Sequence, residues 1–138
     1  MADGSLRRAD AIRAGDRVLD PRSGIAAPVL RLVVGPQTGE MIELGAGGRT
    51  LQVTPDHPIE TDRGMRAAKA LAVGERLWGE DHAWHRIDTM RHLRAAPGLV
   101  VWNFELGGAP HASHRLAAEG LVTGDFTLQR RLQKGLAR

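Results

Sequence analysis

Turn signals recur along this chain every eight to twelve residues, and the apolar runs between them are short. "RVLD" (17–20) leads into "PRSG", "PVLRLVV" (28–34) into "GPQTG", "EMIEL" (40–44) into "GAGGR", and "TLQV" (50–53) into "TPDHP". The rhythm continues through "RLW" (76–78), "HRIDTMRHL" (85–93), "LVVWNFEL" (99–106), "SHRLAAEG" (113–120) and "LVTGD" (121–125). Runs of about four to eight residues rich in Val, Ile, Leu and Thr, bounded by Gly, Pro, Asp and Asn, are strand-length. Strands at this spacing predict an all-β fold of sandwich or barrel-like type.

Three segments have helical character. "RADAIRA" (8–14) and "MRAAKALA" (65–72) are short, alanine-rich and stop at or near a glycine. "DFTLQRRLQKGLAR" (125–138) spaces Phe126, Leu128 and Leu132 among basic residues and predicts a short C-terminal helix broken near Gly135.

The chain also echoes itself. "AIRAGDRVL" (11–19) aligns without gaps on "ALAVGERLW" (70–78) at an offset of 59, with Gly15 on Gly74, Asp16 on Glu75 and Arg17 on Arg76. A glycine supplies the sharp turn, the acidic-basic pair faces solvent, and the following residues bury. Self-similarity at one offset predicts a duplicated supersecondary unit and a β domain with two pseudo-symmetric halves.

Composition narrows the chemistry. A chain of 138 residues reads as one domain, here a β domain over 1–125 followed by a basic helical tail over 126–138. With no cysteine, these residues hold no disulfide, thiolate metal site or cysteine nucleophile. Residues 1–123 contain fifteen Lys and Arg against fifteen Asp and Glu, so the net +3 comes from Arg130, Arg131, Lys134 and Arg138 against Asp125. A neutral body with a basic tail does not fit a nucleic-acid-binding domain, which carries its basic face on the fold. No apolar run approaches a membrane span, and "MADGSLRRADAIRAG" has no signal-peptide core. A cytoplasmic location is the default expectation, with a secreted parent left open.

The most telling stretch is "TPDHPIETDRGMRAAKALAVGERL" (54–77). It sets the Thr54 hydroxyl three residues before the His57 imidazole, with Asp56 between them. At a strand end two such side chains reach one pocket only if the backbone departs from plain alternation, and Pro55 and Pro58 favour that departure. Other constellations are weaker. His82 and His85, like His111 and His114, form H-x-x-H pairs on loop or strand, where the two positions face opposite sides; they read as surface histidines. Trp78, Trp84, Trp102 and Phe104 read as core or hairpin packing. Asn103 reads as a hairpin-pinning polar residue. "GAGGRT" lacks the lysine-hydroxyl ending of a phosphate loop. No metal or cofactor is expected, although Asp56 and His57 with His111 form a minor candidate for a metal site.

Taken in order, these blocks resemble the Hint domain family of inteins and Hedgehog autoprocessing domains. "DGSLRRADAIRAGDRVLD" resembles the early block with its "I..GD.V" motif, residues 54–77 resemble the T-x-x-H block, and "VVWNFELGGAPHASHRLAAEGLVTGD" resembles the C-terminal block. The likeness spans about residues 3–125. It implies an all-β Hint-like fold and assigns Thr54 and His57, with Asp56 beside them, as assistants of an N-to-S or N-to-O acyl shift, or as vestiges of one that now only satisfy a corner of the fold through buried side chains hydrogen-bonded to backbone. Histidine would protonate the departing amide nitrogen, suited by a pKa near neutrality, and threonine would hold the strained carbonyl.

The departures from the family matter equally. The family's first-position cysteine would stand just before the segment matching Ala2-Asp3-Gly4, and the strand that carries it is missing. Ser5, the nearest hydroxyl, sits in a turn-like "DGS". Where splicing relatives end in "VHN", this chain has Val122, Thr123 and Gly124, so asparagine cyclisation and protein splicing are not expected. The expectation is a Hint-derived module without its own nucleophile, acting as a structural, binding or partner-completed processing domain, with a flanking polypeptide as its partner. The alternative is the remainder of a self-cleaving domain whose nucleophile lies upstream of residue 1. Oligomeric state is left open.

Overall fold

The computed structural model describes residues 12–21, 24, 26–36, 39–95, 99–107 and 114–134, without the side chains of Pro36, Val100 and Trp102. Among them are eleven strands and one α-helix. In chain order these are β1 (Arg17–Leu19), β2 (Ala26–Pro36), β3 (Glu40–Ala46), β4 (Arg49–Val53), β5 (Pro58–Thr61), β6 (Gly64–Ala67), β7 (Arg76–Trp78), β8 (Trp84–Arg94), β9 (Val100–Leu106), β10 (Arg115–Ala118), β11 (Leu121–Gly124) and α1 (Phe126–Gln133). The described residues are mostly β, with a single α-helix near the C-terminus. No described helix is long and apolar enough to cross a membrane.

The strands form two sheets. One has the order β1-β2-β9; the other runs β10-β11-β5-β7-β8-β3-β4, with β6 paired to β5. Burial alternates along most strands. In β4, Leu51 and Val53 turn inward while Thr50 and Gln52 face solvent, as period-2 geometry requires. The inward faces build two clusters. One gathers Ile42, Leu44, Leu51, Ile59, Leu77, Ile87 and Leu121 between the long strands; the other gathers Ile12, Val18, Val29, Phe104 and Leu106 under the smaller sheet.

"GAGGRT" proves to be a hairpin. Gly47 and Gly48 hold φ of 58° and 76° between paired Ala46 and Arg49, the two positive values that a two-residue turn needs to match the strand twist.

The internal echo has a matching set of hydrogen bonds. The Gly15 N–H donates to the Val29 carbonyl at 2.8 Å, and the Gly74 N–H donates to Ile87 at 2.9 Å. In return Val29 donates to Asp16 at 2.7 Å, and Ile87 to Glu75 at 2.8 Å. Both glycines have positive φ, 92° and 99°. Each turn feeds a three-residue strand that pairs antiparallel with an eleven-residue one, β1 with β2 and β7 with β8.

Two helical expectations need correction, and one aromatic is now placed. The helix expected over 65–72 is strand β6 followed by a single 3-10 turn, Ala68–Ala70. Pairing with β5, with Met65 buried, outweighs the alanine-rich propensity of this segment. Trp84, 44% exposed, packs edge-on against Trp78, its cross-strand partner in the β7–β8 hairpin, which is the hairpin packing expected of it. The helix expected over 8–14 lies mostly outside the described residues. Its last part is a turn, closed by the Asp16 N–H on the Arg13 carbonyl. The C-terminal helix forms as Phe126–Gln133; Gly135 lies outside the described residues.

Helix α1 does not dangle. Asp125 caps it, accepting from the Leu128 N–H at 3.0 Å, and Leu128 is buried. Gly124, which joins β11 to the helix, has no room for a side chain. A Cβ there would lie 2.7 Å from Pro58 Cγ and 2.9 Å from Leu128 Cδ1. Gly124→Ala is therefore expected to lower stability by about 1–3 kcal/mol, and Gly124→Asn by more, read as a shift of the urea midpoint at constant m-value.

Candidate active site

The residues following β4 leave the strand in a turn. The His57 N–H donates to the Thr54 carbonyl at 3.1 Å, with Pro55 and Asp56 in the two central positions. Proline presets φ for the first of these, so the departure from alternation expected of this segment is a β-turn. Two more backbone bonds pin it to the chain after β6. Ala68 donates to the His57 carbonyl and Lys69 to the Pro55 carbonyl, both at 2.9 Å. The alanine-rich segment thus serves as a brace for the turn.

Thr54, Asp56 and His57 all line one cavity of about 620 Å³. Its walls are largely apolar, with Val33, Leu51, Val53, Leu99, Val101 and Leu116 among them. Its polar residues are Gln52, Thr54, Asp56, His57, Asn103, Thr123 and Gln129, so the Thr54–His57 turn and Thr123 of β11 meet at a single site. Thr123 is 1% exposed, and its hydroxyl donates to the Leu116 carbonyl at 3.3 Å.

His57 is the group most changed by this setting. Part of its surface opens on the cavity while protein crowds its other sides, and among the described residues its ring has no hydrogen-bond partner. Burial lowers its pKa from 6.5 to about 4, since desolvation disfavours the charged ring. The expectation from sequence is a pKa near neutrality; with its pKa lowered, the ring is neutral at pH 7. Asp56 does not raise it again, because that carboxylate is paired with Lys69 at 2.7 Å near the rim.

The depressed pKa has a thermodynamic consequence. In the unfolded chain the imidazole binds protons more readily than in the native one, so stability rises with pH. The His57 contribution is present above about pH 6.5 and is lost as pH falls toward 4, amounting to about 2–3 kcal/mol by pH 4.5. His57→Gln is expected to flatten that part of the curve. Urea midpoints of both proteins at pH 7 and 4.5 check it; parallel losses would show that another group is responsible.

Several site residues were not foreseen as such. Asn103 donates to Gln129 of α1 at 2.8 Å and accepts from the Phe104 N–H at 2.9 Å, so it ties helix to strand and does not pin a hairpin. Asp125 is fully buried; besides Leu128 it accepts from the Leu106 N–H and engages His114 Nδ1, both at 2.9 Å. A Gly-Asp pair preceding an apolar-periodic run is a legible N-cap signal, but its two long-range partners are not local in sequence.

The histidine pairs also differ from expectation. His114 is half-buried against Asp125, and His85 is half-buried and hydrogen-bonded to Asp81, so neither is a surface histidine. His82 is exposed in the β7–β8 turn. His111 and Ser5 lie outside the described residues.

A curled β-sheet with a T-x-x-H turn at the mouth of its cavity places the protein in one class: it has the Hint fold of inteins and intein-like domains. The gp41-1 intein matches at a TM-score of 0.71 and 19% identity, over 86% of this chain and 87% of that one. A bacterial intein-like domain from Clostridium thermocellum matches at 0.72 and 23% identity, over 85% and 86%. The Msm DnaB1 intein splicing domain, solved bound with zinc, matches at 0.66 and 18% identity, over 84% and 87%. No family model matches the sequence, and no curated protein matches it.

Proposed function

We propose that this chain is a Hint-derived module that keeps the assisting half of a peptide-bond-cleaving site and takes its attacking group from polypeptide outside these 138 residues. One observation carries the reading. Thr54 and His57 stand at the two ends of one braced turn, on the wall of an open cavity, in a chain with no cysteine of its own.

The chemistry follows from the state of His57. A neutral imidazole is first a base. It takes the proton of an incoming thiol as sulfur attacks the carbonyl carbon of the preceding residue. It then gives that proton to the departing amide nitrogen as the C–N bond breaks, leaving a thioester. The Thr54 hydroxyl, at the other end of the turn, donates to the carbonyl oxygen as negative charge develops there. Splicing is not part of the proposal. The position matching the terminal asparagine of splicing relatives is Gly124, where packing against Pro58 and Leu128 leaves no space for one, and the chain continues into a docked helix. We also infer that the matching turns at Gly15 and Gly74 descend from a duplication that gave the two halves of the domain.

The test is a fusion that places a reporter and a short strand ending in cysteine ahead of residue 1. Hydroxylamine attacks a thioester carbonyl, releasing the reporter as its hydroxamate and restoring the thiol. Release from the cysteine fusion, with none from the unmodified chain, is the expected result. An intact cysteine fusion, correctly folded by circular dichroism, would overturn the proposal.

A further inference from the structure

The large sheet ends in β10 on one side and β4 on the other, and the small sheet ends in β1 and β9; the edges of interest are β10, β4 and β9. Among the described residues each of these strands has a single strand partner: β11, β3 and β2 respectively. All three line the same cavity, through Leu116 and Ala118, Leu51 and Val53, and Val101 and Phe104. β4 and β10 come together at one end, where Arg49 lies against Gly120. Only part of β9 is closed, because the Asn103 and Asp125 side chains already take the N–H groups of Phe104 and Leu106. A single apolar groove is thus lined by side chains of three edge strands. An exposed edge is a template for another strand, and a groove of this kind suits a peptide that adds backbone hydrogen bonds at its margin and seats alternate side chains in its floor.

Charge points to the character of one end of that peptide. Phe126 lines the groove and also a neighbouring recess of about 210 Å³ that holds Glu105, Arg130, Arg131 and Lys134. Glu105 is neutralised by Arg31 at 2.8 Å. Arg130 lies over the Phe126 ring, 5.9 Å from its centre. Among the described residues Arg130, Arg131 and Lys134 have no carboxylate partner. Cations in the last turn of α1 also suit the helix dipole, but here they stand at the mouth of an apolar channel, one ring away from it.

We propose that this groove binds an extended polypeptide as an added strand, apolar at alternate positions and acidic at the end that meets α1. The proposal deepens the processing reading above and rests on it for the purpose of the bound segment.

The probe is an end-blocked fluorescent peptide of three Val-Thr repeats with an Asp-Glu pair, made in two versions with the acidic pair at either terminus. One version is expected to bind saturably by anisotropy. Methylation of alternate backbone amides should weaken it at least about tenfold, since it removes the edge hydrogen bonds while keeping the apolar surface. Replacing Asp-Glu by Lys-Lys should weaken it by about as much and reverse its salt dependence, since salt then screens a repulsion. Leu116→Arg should reduce binding without altering the peptide; the methylated peptide gives the same answer if that variant fails to fold. No saturable binding by either version up to about 1 mM, a bound state weaker than roughly 4 kcal/mol, would overturn the proposal, as would equal binding of the methylated peptide. If the cysteine fusion cleaves while neither peptide binds, the groove proposal fails alone. If the peptide binds while the folded fusion stays intact, the processing reading fails alone.

Discussion

Asp125→Ala is expected to destabilise the protein by about 3–5 kcal/mol, a large share of the stability of an ordinary domain. The side chain is fully buried, and each of its oxygens is used. Oδ1 accepts from the Leu128 N–H and so caps α1; Oδ2 accepts from the Leu106 N–H and engages His114. Alanine would orphan two backbone donors and an imidazole in a site without a compensating acceptor, and the penalty for unsatisfied buried groups exceeds the worth of the bonds themselves. Asp125→Asn separates the parts. Its carbonyl oxygen can still cap the helix, but its NH₂ faces the Leu106 N–H, so an intermediate loss of about 2 kcal/mol is expected. Urea midpoints give the losses, and a double-mutant cycle with His114→Ala isolates that pair. A loss below about 1 kcal/mol for Asp125→Ala, as for an exposed cap, would show that α1 is not fastened through this carboxylate.

The strands that were legible in the sequence are those whose turns carry their own chemistry. "GAGGR" announces a hairpin because two adjacent glycines can both take positive φ. Residues 11–19 and 70–78 announce each other because the same turn needs the same glycine and the same buried position, Val18 in one and Leu77 in the other. Residues 65–72 misled for the opposite reason. Met65, Ala67, Ala68 and Ala70 favour a helix by intrinsic propensity, but over so short a length that preference is small. The segment takes its conformation from β5, and nothing in those eight residues encodes that partner.

At the site, the Thr54–His57 spacing was readable because proline and a strand end dictate a turn. What surrounds the turn was not. Val33, Leu51, Val101 and Leu116 reach the same cavity from four different strands, and their convergence depends on sheet order. The titration of His57 was missed on the same account. The sequence places His57 in a turn but does not show how closely the chain at Ala68 and Lys69 crowds it. The Asn103–Gln129 and His114–Asp125 contacts likewise join residues 26 and 11 positions apart.

In a fusion supplied with an upstream cysteine, His57→Ala is expected to slow thioester formation by about 10²–10⁴-fold, the usual worth of a positioned acid-base group. The depressed pKa makes the form of the pH profile as diagnostic as the rate. An imidazole of pKa 6.5 would lose its function as a base between pH 7 and 6, whereas one near 4 stays neutral and competent well below that. The cleavage rate should therefore show no histidine-dependent fall from pH 7 to about 5, its acid limb appearing close to pH 4. Two effects could imitate this, and both can be separated. Loss of the fold at low pH is read from circular dichroism of the same samples, and thiol ionisation produces a rise with pH that survives in His57→Ala. His57→Gln keeps a polar side chain near the size of the ring but cannot relay a proton, so a rate close to that of the alanine variant identifies proton transfer as the function of this residue. If glutamine restores the rate, the ring acts by occupying and shaping the turn beside Thr54, and the proton reaches the departing nitrogen from water.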